Sequence, residues 1–145
     1  LGDVYKRQSY AIITLEYIFG VDKMKIQESA ENYLESILKL SEQMPRVRSI
    51  DIVNELGFSK PSVSIAMKNL KENGYITINA NGSIELTDKG YEIASKTYDK
   101  EKLITKLLTS FGVSHEQAQI DACRIEHIIS EESVHCIKRY LKEEN

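Results

Sequence analysis

From Ser29 onward, apolar and polar positions follow a helical repeat. Tyr33, Leu34, Ile37, Leu38 and Leu40 form one apolar stripe behind a serine that can act as an N-cap, and they predict a first helix closed by Pro45. Ser49 is placed to cap a shorter second helix through IDIVNEL, with Ile50, Ile52, Val53 and Leu56 on its buried side, and Gly57 permits the sharp turn that follows. A third helix is predicted from the cap Ser59, with Lys60 and Pro61 in its first turn and Val63, Ile65, Ala66 and Leu70 carrying the apolar pattern to Asn73-Gly74. The period then switches to alternation, and YITINANGSIEL around Asn81-Gly82 has the pattern of a two-stranded hairpin. Helix, glycine-containing turn and helix, followed by a hairpin, describe a winged helix-turn-helix whose third helix enters the major groove.

The remainder reads as helix throughout. Thr87 can cap a long helix, DKGYEIASKTYDKEKLITKLLTSFG, with Ile93, Leu103, Ile104, Leu107, Leu108 and Phe111 as its apolar positions. Ser114 and Gln117 make a capping box for a fifth helix running through Ile129, and Ser130 begins a sixth that carries Val134, Ile137 and Leu141. A helical segment of about 55 residues builds little core alone, so it is expected to bury its apolar face against a second copy. A homodimer would read a palindromic operator. The expected fold class is therefore mainly α: a winged helix-turn-helix DNA-binding domain over residues 24–90, then an all-helical domain over residues 91–145.

Composition narrows the partners. With 145 residues, 41% of them hydrophobic, the chain can form one ordinary domain or two small ones, and extended disorder is not expected. A net charge of −3 argues against a broadly cationic nucleic-acid binder. Its distribution is uneven, however: over residues 45–74 the five cations Arg46, Arg48, Lys60, Lys68 and Lys71 outnumber Asp51, Glu55 and Glu72. A basic edge on an acidic body suits phosphate contacts that position a double-stranded DNA operator without strong non-specific binding. The candidate DNA-binding residues are Arg46, Arg48, Ser59, Lys60, Pro61, Ser62, Ser64 and Lys68; with no Gln or Arg early in the third helix, no particular base is assigned.

Two cysteines, Cys123 and Cys136, do not make the disulfide framework of a secreted domain, and a cytoplasmic location with no membrane partner is expected. The opening LGDVYKRQ resembles a translated transposon end, and Met24 opens a more natural frame, so residues 1–23 are expected to be an artefactual or non-native extension. Their apolar part, SYAIITLEYIFGV, is too short to span a bilayer.

The candidate chemistry lies in ACRIEHIIS. Offsets of three and four residues bring Cys123, Glu126 and His127 to one helix face, and a thiolate, a carboxylate and an imidazole converging there make half of a transition-metal site. By contrast His115 and His135 read as exposed or interfacial, Cys136 as a packing residue at the dimer face, and Tyr75, Tyr91 and Tyr98 as rings at the core boundary.

Taken together, these segments resemble the diphtheria toxin repressor family of iron- and manganese-dependent regulators, in its short form without an SH3-like domain. SAENYLESILKL is similar to the family's first helix, SKPSVSIAMKNLKENGYI to its recognition helix and wing entry, ELTDKG to the start of its linking helix, and IDACRIEHIIS to its metal-binding helix. The resemblance covers Ser29 to about Leu141 and makes the C-terminal domain a metal-binding and dimerisation unit.

The resemblance implies that Glu126 and His127 are ligands, and that Cys123 stands where iron-type members have Cys and manganese-type members Glu. Glu35 matches the first-helix carboxylate of the manganese type, Asn32 falls where the family has Asp or Met, and Glu101 falls where it usually has His. Thr105 stands where the family has a further acidic ligand and Gln119 where iron-type members have a further His, so an iron-type ancillary site is incomplete. The implied cofactor is Mn²⁺ or Fe²⁺, with Zn²⁺ able to bind in vitro, and these departures leave open whether one ion or two are held.

Function follows as an expectation: a metal-activated, homodimeric repressor of metal-homeostasis genes, in which a cation ties the DNA-binding half to the helical half and neutralises carboxylates that otherwise repel. Two alternatives stand beside it. One is a winged-helix regulator that has lost metal sensing, given Asn32 and Glu101. The other is a small metallohydrolase, against which the chain has no HExxH segment, no P-loop and no glycine-rich cofactor turn.

Overall fold

The computed structural model describes residues 27–143, so the reading of residues 1–23 lies outside the described residues. The elements are α1 (residues 27–43), α2 (Ser49–Leu56), α3 (Lys60–Glu72), β1 (Ile76–Ile78), β2 (Ile84–Leu86), α4 (Asp88–Ser110), α5 (His115–Ile125) and α6 (Glu131–Glu143). The chain is mainly helical, with a two-stranded antiparallel wing, as the periodicity predicts. Among the described residues no helix is long and apolar enough to cross a membrane.

Helix α1 organises the centre. Its five expected apolar residues are buried, but so are Glu35 and Ser36 between them, so residues 33–38 are shielded all round rather than along one stripe. Tyr33 meets the Phe58 ring edge-on at 5.7 Å beside the α2–α3 turn, while Ile37 and Leu38 line a cleft with Val47, Ile84 and Leu86 at the base of the wing. Helical geometry begins by residue 27, so Ser29 lies inside α1 and is not its cap.

The start of α2 also departs from expectation. Asp51 reaches back to accept the backbone N–H of Arg48 at 2.8 Å, which makes Arg48 the N-cap and Ser49 the first helical residue. Ile52 is the fully buried anchor of this short helix, whereas Ile50 points to solvent. Gly57, at φ 66°, ends α2 in the left-handed region where a side chain would be strained. Ser59 then caps α3 as expected, accepting the N–H of Ser62, with Pro61 in the first turn. Val63, Met67 and Leu70 form the inner face of α3. Ile65 was expected among them and instead is 62% exposed, because it lies about half a helical turn away from that buried row.

The wing pairs Ile76 with Leu86 and Ile78 with Ile84, leaving residues 79–83 as its loop. Val47 adds a single bridge to Ile84, with the Ile84 N–H donating to the Val47 carbonyl at 2.8 Å, and so ties the segment after α1 to the sheet. The wing is in turn locked to α4. Thr87 accepts the Gly90 N–H at its cap and donates its hydroxyl to the Gly74 carbonyl at 2.7 Å. A Cβ on Gly90 would fall 2.0 Å from the Tyr75 carbonyl oxygen, so this joint admits glycine alone.

Helix α4, 23 residues long, packs against both α5 and α6. Phe111, expected on its apolar side, is exposed because the helix has ended and Phe111 is its C-cap. Ser114 caps α5 by accepting the Gln117 N–H, but the Gln117 side chain donates to Asp121 rather than completing the expected capping box; Ser130, expected to begin the sixth helix, stands just before α6 and accepts the Ser133 N–H. However, α5 stops at Ile125 rather than Ile129, which leaves Glu126 as C-cap and His127 in the turn beyond it.

Candidate metal centre and nucleic-acid face

The end of α5 meets α1 and the middle of α4. One ligand atom each from Glu101, Cys123 and Glu126 lie within 4.8 Å of one another. Glu101 projects from α4, where positions 97, 101, 104 and 105 form the buried row, and Cys123 and Glu126 are three apart at the end of α5. Glu126 is 1% exposed, and neither of its carboxylate oxygens has a hydrogen-bond partner among the described residues. A buried ionisable carboxylate without donors is costly unless a cation completes it, so this donor set suits a divalent metal. Cys123 is the exposed member.

His127 is held from α1. Its Nδ1 lies 2.8 Å from Glu31 Oε2, and its Nε2 lies 2.9 Å from Asn32 Oδ1 and 3.2 Å from Glu126 Oε1. Both ring nitrogens thus face acceptor oxygens; with Nδ1–H donated to Glu31, Nε2 would be the nitrogen offered to a metal ion, the arrangement in which a carboxylate orients a ligating imidazole. Glu35 enters through Lys39, whose ammonium lies 3.0 Å from Glu35 and also contacts Glu101. The structure thus gathers Glu101, Cys123 and Glu126 directly, sets His127 and Asn32 at the edge of that group, and brings Glu35 beside Glu101 and Glu126 as well as onto Lys39. Thr105 is buried with its hydroxyl unpartnered, and Gln119 is exposed along a cleft of about 500 Å³ bounded by Lys39, Tyr98, Glu101 and Lys102.

Electrostatics follow from this crowding. Burial, and then the neighbouring Glu35 and Glu101, push the Glu126 carboxyl up to about 10. Glu35 is raised in the same direction, chiefly by burial and by Glu101, with Lys39 opposing. Burial works against the charge of Lys39, yet Glu101 and Glu35 outweigh it and hold the ammonium above the usual lysine value. The Cys123 thiol is raised by partial desolvation and then by Glu126, Glu101 and Glu35, so it is not poised as a free thiolate.

Neither Glu31 nor Lys39 is flagged by the sequence pattern read above. The signal was present in their spacing, since Glu31, Glu35 and Lys39 stand one turn apart and share a face of α1.

The two halves of the sequence match, in chain order, the iron dependent repressor N-terminal DNA binding domain over residues 25–83 and the iron dependent repressor metal binding and dimerisation domain over residues 87–144. An HTH-type transcriptional regulator of Methanocaldococcus jannaschii is 31% identical over 119 residues, which cover 81% of this chain and 95% of its own length. The chain belongs to the iron-dependent repressor family. The transcriptional regulator MntR of Salmonella typhimurium is 30% identical over 108 residues, covering 74% of this chain and 69% of its own. The structure of the manganese regulator SloR superposes with a TM-score of 0.68 at 27% identity, over 78% of this chain and 53% of SloR, so the chain spans about half of that protein. The repressor family is one of transcriptional regulators rather than enzymes, and it joins a DNA-binding half to a half that binds metal and dimerises.

In the repressor the DNA-binding candidates are all on the surface: Ser59, Lys60, Pro61, Ser62, Ser64 and Lys68 on and around α3, and Arg46 and Arg48 on the segment leading into α2. Ile65 stands among them, between Pro61 and Lys68 on the outward face. The helical half leaves Phe111, Ile120, Ile128 and Tyr140 exposed on the single chain, apolar surface of the kind that a dimerising domain covers.

Proposed function

We propose that this repressor is activated by Mn²⁺ or Fe²⁺ and binds a palindromic operator of metal-homeostasis genes as a cytoplasmic homodimer. Residues 24–90 form its reading head and residues 91–145 its metal-binding and pairing unit. The observation that carries the reading is the buried Glu126 carboxylate, both oxygens unpartnered, converging with Glu101 and Cys123. Glu101, Cys123, Glu126 and His127 would hold the ion, with Glu35 and Asn32 contributing from α1. The bound ion supplies charge neutralisation to a group of carboxylates that otherwise repel.

Because α1 belongs to the reading head, drawing its side chains toward α4 and α5 restricts how the head sits on the pairing unit. A cation with differential affinity for that arrangement favours it, and operator affinity rises with metal. The likeness to the manganese regulator SloR supports Mn²⁺. Cys123, a softer donor than a carboxylate, gives Fe²⁺ a footing and would also let Zn²⁺ bind in vitro.

Lys39, already between Glu35 and Glu101, favours a second reading in which the carboxylates are permanently neutralised and metal sensing is lost. Glu126 argues against it, since Lys39 contacts Glu35 and Glu101 and leaves this third buried carboxyl without a hydrogen-bond donor. A gel-shift titration decides between them, using duplex DNA that the protein selects from a random pool. Activation predicts that Mn²⁺ or Fe²⁺ tightens binding and that a chelator reverses it; affinity indifferent to both would remove the mechanism.

A further inference from the structure

We propose that Lys39 is a built-in cation standing where a second metal ion would otherwise sit, so that each subunit holds one divalent ion and not two. The proposal rests on the metal-binding reading above and concerns how many ions that site takes. Lys39 leaves α1 one turn beyond Glu35 and places its ammonium 3.0 Å from Glu35 Oε1 and in contact with Glu101 Oε2, which comes from α4. Its side chain is 24% exposed, at the border between the buried carboxylates and the cleft lined by Tyr98 and Lys102. A lysine in this position makes the same connection, α1 to α4 through two carboxylates, that a bridging metal would make.

Charge among the buried groups favours that stoichiometry. Glu35, Glu101 and Glu126, all buried, bring three negative charges when ionised, and Lys39 returns one. One divalent ion balances the two that remain. A second would leave the group one charge positive even after Cys123 gave up its proton. Without the ammonium, three carboxylates and a thiolate balance two divalent ions. Glu31 keeps its own charge when it accepts from His127, but it is partly open to solvent, at 19% exposure, and faces the imidazole rather than Lys39, so the count covers only the buried carboxylates. The buried Glu126, unpartnered despite Lys39, marks where the single ion belongs.

The test counts ions. Purified full-length protein is equilibrated with Mn²⁺, and bound metal per subunit is measured by equilibrium dialysis with elemental analysis. Parent and Lys39→Arg, which keeps the charge, should saturate at one ion, and Lys39→Met and Lys39→Gln should saturate at two. Two ions in the parent, or one in both neutral variants with native circular dichroism, would overturn the proposal. Should both neutral variants unfold, the parent and Lys39→Arg counts still decide it, since two ions in either contradicts it. Glu126→Gln separates this from the underlying reading: loss of the ion supports the metal site whatever the count, whereas a parent that takes up no Mn²⁺ removes both.

Discussion

The imidazole of His127, in the turn after α5, lies 2.8 Å from the carboxylate of Glu31 on α1. This contact joins residues 96 positions apart and makes Glu31 a positioning residue for a ligand carried by the other half of the chain. Glu31→Gln keeps the size and a hydrogen-bonding group but removes the charge that orients the ring. Loss of an outer partner of this kind lowers metal affinity by roughly 10- to 100-fold. Calorimetric titration with Mn²⁺ should show that loss with an unchanged far-ultraviolet circular dichroism spectrum. An unaltered affinity would show that Glu31 is only a surface partner.

Burial and neighbouring carboxylates hold Glu126 at about 10, far above its ordinary 4.5. The neutral form is therefore favoured by the fold: its stabilising contribution is complete below about pH 4.5 and is lost progressively as pH rises toward 10. Metal-free protein should consequently become less stable between pH 5 and 9 through this group. Glu126→Gln, neutral at every pH, should melt higher than the metal-free parent at pH 8, by at least about 3 °C, with the difference shrinking toward pH 5. The same variant should gain nothing from Mn²⁺. Thermal melts across pH, with and without metal, check both signs.

Much of this was legible in the sequence, and the exceptions have physical causes. Caps at Ser59, Thr87, Ser114 and Ser130 were readable because a hydroxyl followed three residues later by a backbone N–H is a local interaction. Ser49 misled because Asp51, also local, closes the helix start better. Ile65 misled because an apolar residue was assumed to belong to the core. At the metal centre, Cys123 and Glu126 were visible through their spacing in one segment, whereas the partners of His127 and the bridge from Lys39 to Glu101 depend on how distant helices pack, which periodicity does not encode.

Gly90 sets the angle between wing and α4. Its substitution by Ala places a methyl group 2.0 Å from a backbone oxygen, and backbone cannot yield as a flexible side chain can. The expected cost is about 3 kcal/mol or somewhat more, read by chemical denaturation. A loss below about 1 kcal/mol would mean that the joint is looser than described.

Exposed Ile65 sits where a helix in the major groove would meet base edges, and an aliphatic side chain there recognises the methyl group of thymine. Ile65→Ala should weaken binding to the selected operator several-fold, leave binding to random duplex unchanged and leave the salt dependence unaltered. Lys68→Ala should instead weaken all duplexes alike and reduce the salt slope by about 0.9. Anisotropy titrations at three salt concentrations distinguish the two roles.

Coupling between ion and operator is tested most directly from the metal's side. The Kd for Mn²⁺ is measured on the free dimer and on the dimer saturated with its selected duplex. Linkage requires that DNA tighten metal binding by the same factor by which metal tightens DNA binding, commonly about 5- to 150-fold. Equal Kd values in the two titrations would contradict metal activation.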